Sequence, residues 1–332
     1  MKKILNYSLL AIVTIMVLYF SLKDNFKEII DTLFSMDIKW FMVALLCVVI
    51  YFFLKSLPLY YFTKRHKNKF KYKRSLLLIL RTQFANAVTP FATGGQPYQI
   101  YYLNKEGIRS STSTSIVLEN FIVYQIALVF LGIVALISNY LFHFFPRNDL
   151  LTKLITFGFL INTLVIIISF VVSFGKKINK KLINIAINVL TKLKIVKNKE
   201  VKLEKWNESI NNFHKSAKVL IGDKKLFISM ILINLFALSF LYIIPMFILF
   251  AMGNFNVNIF TAIVASSYVM LIGSFVPIPG GTGGLEYSFM KFYGFFVSGG
   301  ILPAAMLIWR FITYYFGMII GAIAFNIKGG RK

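Results

Sequence analysis

Long apolar stretches separated by short polar loops run through most of this chain. Six of them, near 5–22, 38–62, 116–140, 151–174, 226–252 and 301–327, approach or exceed the about 20 residues that a helix needs to cross a bilayer. The first follows Met1, Lys2 and Lys3 with no small-x-small cleavage site after it, so it reads as a retained anchor. Two further apolar segments, one in each half, are interrupted by proline and glycine. The earlier runs from Leu76 through Phe84 to Thr89, Pro90, Thr93, Gly94, Gly95, Gln96 and Pro97. The later runs from Met270 to Pro277, Pro279, Gly280, Gly281, Thr282, Gly283, Gly284 and Glu286. Irregular backbone facing lipid leaves N–H and C=O groups unsatisfied, at several kcal/mol each. Such breaks persist where protein encloses them or where they line a polar cavity, and a matched pair points to a translocation site.

Composition agrees: 58% of residues are hydrophobic and 15% charged, against a soluble norm of roughly 45–50% and 25%. The net charge of +25 does not indicate nucleic acid, because of where it sits. Seven of the 37 basic residues lie in Thr63–Arg74 and fourteen in Gly175–Lys225. The positive-inside rule places both loops in the cytoplasm. Parity then makes 75–104 enter and leave on the cytoplasmic face, since its return limb, 96–104, is only about 14 Å long as a helix. The same argument makes 259–298 a hairpin from outside. The expected fold is an all-α polytopic membrane protein with six full spans and two re-entrant hairpins in inverted arrangement, about eight membrane segments. Eight conventional spans are the competing count. The expected organisation is a first membrane half, 1–174, a basic cytoplasmic segment, 175–225, and a second membrane half, 226–332. Both termini are expected in the cytoplasm.

Within 175–225, Leu203, Trp206, Ile210, Phe213, Ala217 and Leu220 share one helical face, with Lys202, Lys205, Lys215 and Lys218 supplying a basic side. That pattern suits a helix lying on anionic inner-leaflet lipids; a plain connector between the halves explains it equally. Helix N-termini following the Gly-Gly pairs present free N–H donors and partial positive charge to an anion. The candidate cradle is Thr89, Gly94, Gly95 and Gln96 with Gly280, Gly281, Thr282, Gly283 and Gly284. Glycines that only permit tight helix crossings, as Gly317 and Gly321 do by spacing, are the alternative.

Ionisable residues inside apolar runs are costly and face a cavity or a partner. Arg310, ten residues into its run, is the strongest single candidate, either as a phosphate ligand or as the partner of Glu286 or Glu119. Glu286 stands in the first turn of its helix, where a carboxylate is favoured; it also suits a cationic headgroup or a coupling proton. Arg81 and Lys55 are placed to guide an anionic headgroup, with snorkelling the alternative for Lys55 and for Lys291. Cys47 is the single cysteine, and His66, His143 and His214 are dispersed, so no metal site, cofactor or catalytic residue is expected. No Gly-x-x-x-x-Gly-Lys-Ser/Thr loop is present.

Across nearly its whole length the chain resembles the lysylphosphatidylglycerol synthase transmembrane family, the flippase-like region of the multiple peptide resistance factor. The residues that carry the likeness are Asn86, Thr89, Pro90, Gly94 to Pro97, the Ser113–Glu119 stretch, Val276 to Glu286, and Arg310 with Tyr314 and Gly317. Asn120 departs from the arginine that members often carry there. The resemblance implies a bacterial cell-membrane protein that moves a phospholipid, anionic or aminoacylated, between leaflets, with resistance to cationic peptides as an inherited expectation. Full-length synthases add a soluble domain that transfers lysine from its tRNA to phosphatidylglycerol. No counterpart of it is recognisable here, so transferase activity is not expected. A lipid-modifying membrane subunit and a small-solute or ion transporter remain the other classes, and self-association into a homo-oligomer stays open.

Overall fold

The computed structural model describes residues 31–192 and 199–327, except 33 and 147; the first apolar run and the 328–332 tail lie outside them. Among the described residues every regular element is helical. Five helical stretches are long and apolar enough to span a membrane: Ile38–His66, Ser110–Phe142, Asp149–Phe174, Lys224–Ala251 and Ile301–Asn326. They coincide with the five apolar runs of the sequence that fall in this range.

Local chemistry explains where these helices begin and end. In α1 (Ile38–His66), Asp37 accepts from Lys39 N, and Lys64, Arg65 and His66 occupy the last turn, where the helix dipole favours cations. Asn148 caps α5 (Asp149–Phe174) and Asp223 caps α8 (Lys224–Tyr242) through the N–H groups of Leu151 and Leu226. The run expected at 226–252 is two helices, because Pro245, near the start of α9 (Ile244–Ala251), cannot donate to the preceding turn. The run expected at 301–327 is also interrupted. A π-helical segment, Phe311–Tyr315, separates α12 (Ile301–Arg310) from α13 (Phe316–Asn326).

The two halves interlock. Helix α4 (Ser110–Phe142) packs on α1, α5 and α8 and on α10 (Ile259–Gly273), while α2 (Tyr72–Ala87) packs on α13. Small residues set the closest approaches. A Cβ on Gly158 of α5 would collide with the Leu271 carbonyl of α10, and one on Gly321 of α13 would lie 2.6 Å from the Leu80 carbonyl of α2. One hydrophobic core joins both halves, including Tyr51, Leu128, Tyr268, Phe289 and Trp309. The outward faces keep large apolar side chains exposed, such as Phe130, Ile137, Phe157, Leu164, Phe236 and Ile323, a surface that lipid covers in a membrane protein.

The segment between the halves is helical. It forms α6 (Lys176–Lys192) and α7 (Lys199–Gly222). The α7 face bearing Ile210, Phe213 and Ala217 is buried within the protein, where α7 packs on α4, α5 and α6. His214 Nδ1 lies 2.8 Å from the Ser173 carbonyl, and Ser216 Oγ lies 3.4 Å from Thr112 Oγ1. Helical periodicity identifies an apolar face but not what covers it; here α4, α5 and α6 cover it. Exposed apolar side chains sit instead on α6, at Ile178, Ile185 and Val189.

Candidate functional site

Each Pro/Gly cluster lies between two helices and turns the chain through a short 3-10 segment. The first joins α2 to α3 (Gly95–Lys105) through Pro90–Ala92; the second joins α10 to α11 (Gly284–Tyr293) through Pro279–Gly281. The two turns pack against one another, which brings the matched breaks of the two halves to one place.

The first break is held by its own side chains. Thr89 Oγ1 donates to the Ala85 carbonyl (2.9 Å) and accepts from Gly94 N (2.8 Å), while Asn86 Oδ1 accepts from Gly95 N (2.8 Å). Gln99 Nε2 donates to Thr82 Oγ1 at 3.1 Å. Gly94 and Gly95 are required by closeness: a Cβ on Gly94 would lie 2.6 Å from the Ala85 carbonyl, and one on Gly95 would strike the Asn86 side chain. The left-handed residues are Phe91 and Ala92, both at φ 52°. Gln96 is partly buried and makes no side-chain hydrogen bond among the described residues.

The second break carries charge. Glu286 and Arg310 are 6% and 5% exposed. Glu286 Oε2 accepts from Gly283 N (2.7 Å), and Oε1 lies 2.8 Å from Arg310 Nε. That Nε–H is aimed at no acceptor despite the proximity, so the contact is charge pairing rather than a directed hydrogen bond. Arg310 Nη2 donates to Thr282 Oγ1 at 3.3 Å, and the buried Thr282 hydroxyl donates to the Pro279 carbonyl at 3.0 Å. The Arg310 guanidinium stacks over the Tyr314 ring, 4.6 Å from its centre. The Tyr314 hydroxyl donates to the Ala87 carbonyl at the end of α2 (2.9 Å), tying this cluster to the first break. Gly280, Gly281 and Gly283 adopt φ of 69°, 65° and 92°, conformations that favour glycine. Gly284 is set by packing, because a Cβ there would strike Val276.

The structure thus brings Thr282, Glu286 and Arg310 together and leaves Glu119 and Arg81 elsewhere. Of the two acids considered for Arg310, Glu286 is its partner; Glu119 accepts from Ser115 Oγ at 2.7 Å. Arg81 donates from Nε to the Ala324 carbonyl (2.9 Å) and from Nη2 to the Ile327 carbonyl (2.7 Å), capping the end of α13. Lys291 is exposed, beside the Tyr287 ring. The amides of Gly94, Gly95 and Gly283 are engaged by Thr89, Asn86 and Glu286 in this arrangement. Donor capacity remains at Arg310 Nη1, which makes no bond among the described residues.

Sequence reasoning missed a buried polar chain entering the second break. Gln125 Nε2 donates to Asn162 Oδ1 (3.3 Å), and Asn162 Nδ2 donates to the Gly158 carbonyl and to Ser274 Oγ, both at 2.7 Å. Its signal was amide side chains inside apolar runs, the same logic applied to charges.

A sequence profile of the family described as the lysylphosphatidylglycerol synthase TM region matches residues 8–321. The chain belongs to that family and is a multi-pass membrane protein. A UPF0104 membrane protein of Archaeoglobus fulgidus is 26% identical over 295 residues, covering 86% of this chain and 85% of the relative. The family likeness drawn from the two breaks is therefore borne out.

Proposed function

With that membership as premise, we propose that the chain moves a phospholipid between the leaflets of the cell membrane. In this reading the α2–α3 and α10–α11 pairs are re-entrant hairpins entering from opposite faces, and both termini are cytoplasmic. The observation that carries the reading is the buried Glu286–Arg310 pair beside the packed turns of the two breaks.

The chemistry follows from the cost of charge in a low-dielectric interior. Removing one member of a buried pair leaves the other uncompensated. A headgroup carrying both phosphate and ammonium avoids that cost. Its phosphate replaces Glu286 on the Arg310 guanidinium, whose planar donors match phosphate oxygens, and its ammonium takes the freed carboxylate. Thr282 adds a neutral donor. This favours an aminoacylated lipid, such as lysyl-phosphatidylglycerol, over a plain anionic one. A small cation is a poorer fit, since Glu286 is already engaged by Arg310 and Gly283 N.

The test is leaflet exchange of labelled lysyl-phosphatidylglycerol and phosphatidylglycerol in proteoliposomes, for wild type, Arg310→Ala and Glu286→Gln. Exchange by wild type, faster for the aminoacylated lipid and lost in folded variants, is the expected outcome. No exchange of either lipid, with and without a proton gradient, would overturn the proposal.

A further inference from the structure

The segment between the halves leaves one apolar face uncovered. Helix α6 carries Ile178, Ile185 and Val189 at 49%, 51% and 49% exposure. At about 100° per residue these three fall within about 40° of one another, a single stripe along the helix. The buried Ile187 lies about 180° from Ile178, on the side where α6 packs on α7. A row of exposed aliphatic side chains is costly in water and marks a surface that meets a partner or a lipid phase.

The stripe is held beside the end of a candidate span. Asn179 of α6 donates from Nδ2 to the Val172 carbonyl of α5, and the same nitrogen lies 3.2 Å from His214 Nε2 of α7. The backbone amide of Asn179 donates to the Gly175 carbonyl at 2.9 Å. These contacts fix the first turn of α6 to the last turn of α5. The exposed apolar row of α5, with Leu164, Ile167, Ile168, Val171 and Val172, runs to that same turn. Only the Gly175 corner separates the outward surface of the span from the stripe of α6.

Charge selects the occupant. Helix α6 holds Lys176, Lys177, Lys180, Lys181 and Lys192 and no acid. None of these lysines is in an ion pair among the described residues. Lys181 and Lys192 flank the stripe, each within about 60° of Ile178. Lysine stems can lie along an apolar surface while their ammonium groups reach headgroup phosphates. An apolar stripe flanked by unpaired lysines is the pattern of a helix lying in the interface of an anionic bilayer. A second copy of the chain is a poorer occupant, because two such faces would bring lysine against lysine.

We infer that α6 is a membrane-surface helix that seats its Ile178, Ile185 and Val189 stripe in an anionic lipid leaflet. Helix α7, whose own apolar face is buried in the protein, holds α6 from behind. This seating requires α5 to span the membrane but no translocation of lipid.

The experiment puts a nitroxide on single cysteines of the full chain in a Cys47→Ala background. Ile185→Cys and Val189→Cys report the stripe, and Lys180→Cys and Asn184→Cys report the opposite side of α6. Collisions with oxygen and with a water-soluble nickel chelate are measured in nanodiscs of phosphatidylglycerol and of phosphatidylcholine. In phosphatidylglycerol the stripe labels are expected to meet the chelate about threefold less often than the control labels, and oxygen more often. The contrast is expected to be weaker in phosphatidylcholine, and combining Lys177→Gln, Lys181→Gln and Lys192→Gln is expected to erase the difference between the two lipids. Equal chelate access at stripe and control positions, or the same contrast in both lipids, would overturn the inference. Protection of the stripe accompanied by spin–spin broadening between labelled copies would assign the face to a second copy and overturn it too. Should the labelled chains fail to fold, hydrogen exchange of the unmodified protein decides. Slower exchange in α6 in phosphatidylglycerol than in phosphatidylcholine is expected, and equal exchange overturns the inference.

Discussion

The two breaks look alike in sequence and are built differently. In the first, neutral side chains of α2, Thr89 and Asn86, occupy the amides of Gly94 and Gly95, and the glycines are there because helix and turn approach closely. In the second, the glycines hold left-handed backbone, and the amide of Gly283 is occupied by a carboxylate that is itself paired to Arg310. One is a wall with no formal charge; the other holds a buried ion pair, which in the proposed function a ligand of complementary charge divides. Matched Pro/Gly punctuation thus reports shared backbone geometry, whereas the chemistry resides in what surrounds each turn.

That contrast can be broken most forcefully at Arg310. Arg310→Ala strands Glu286 in a buried site, and a loss of about 3–5 kcal/mol of stability is expected, measured by thermal or denaturant unfolding in detergent. Arg310→Met combined with Glu286→Gln removes both charges and is expected to recover most of that loss while exchange stays absent. Recovery of exchange would show that the pair serves structure alone. Next is Gly280→Ala, which places a Cβ against the Tyr314 ring at a φ of 69°. About 2–3 kcal/mol is expected, and a value below 0.5 would mean that this turn is as adaptable as a surface loop.

Two gentler changes sharpen the comparison. Tyr314→Phe removes the hydroxyl that bonds the Ala87 carbonyl but keeps the ring over Arg310. It is expected to cost about 1–2 kcal/mol and to raise amide exchange at the end of α2 more than in α11. Thr89→Ala removes the cap on Gly94 N and is expected to cost about 1 kcal/mol, with Thr89→Ser near wild type. If Thr89→Ala abolished lipid exchange in a stable protein, the wall description of the first break would fail.

Much of this was legible beforehand. Apolar run length located the described spans, because hydrocarbon thickness imposes it, and proline with glycine marked the breaks, because backbone geometry demands them there. Arg310 stood out by the cost of its charge. Its partner was not legible: Glu119 and Glu286 satisfy the same electrostatic requirement, and only packing places Glu286 at 2.8 Å. Arg81 carries a related ambiguity, since a cation wanted by helix-end carbonyls looks like one wanted by a phosphate. The α7 face was found by periodicity, but lipid and protein reward the same apolar pattern. Tyr314 entered only through the family likeness, as its role is set by a partner 227 residues away.

The π-helical segment Phe311–Tyr315 between Arg310 and the Gly317–Gly321 stretch has a consequence for numbering itself. A π turn accommodates one more residue than the α-helix it interrupts, a local insertion absorbed without ending the helix. Deleting one residue from it would let α12 and α13 join in ordinary α geometry. Because the bulge absorbs the extra residue, every side chain after the junction would keep its face relative to Arg310. Gly321 would stay against the Leu80 carbonyl, where a Cβ has only 2.6 Å. The same deletion made in the regular turns of α12 would instead swing that face by about 100°.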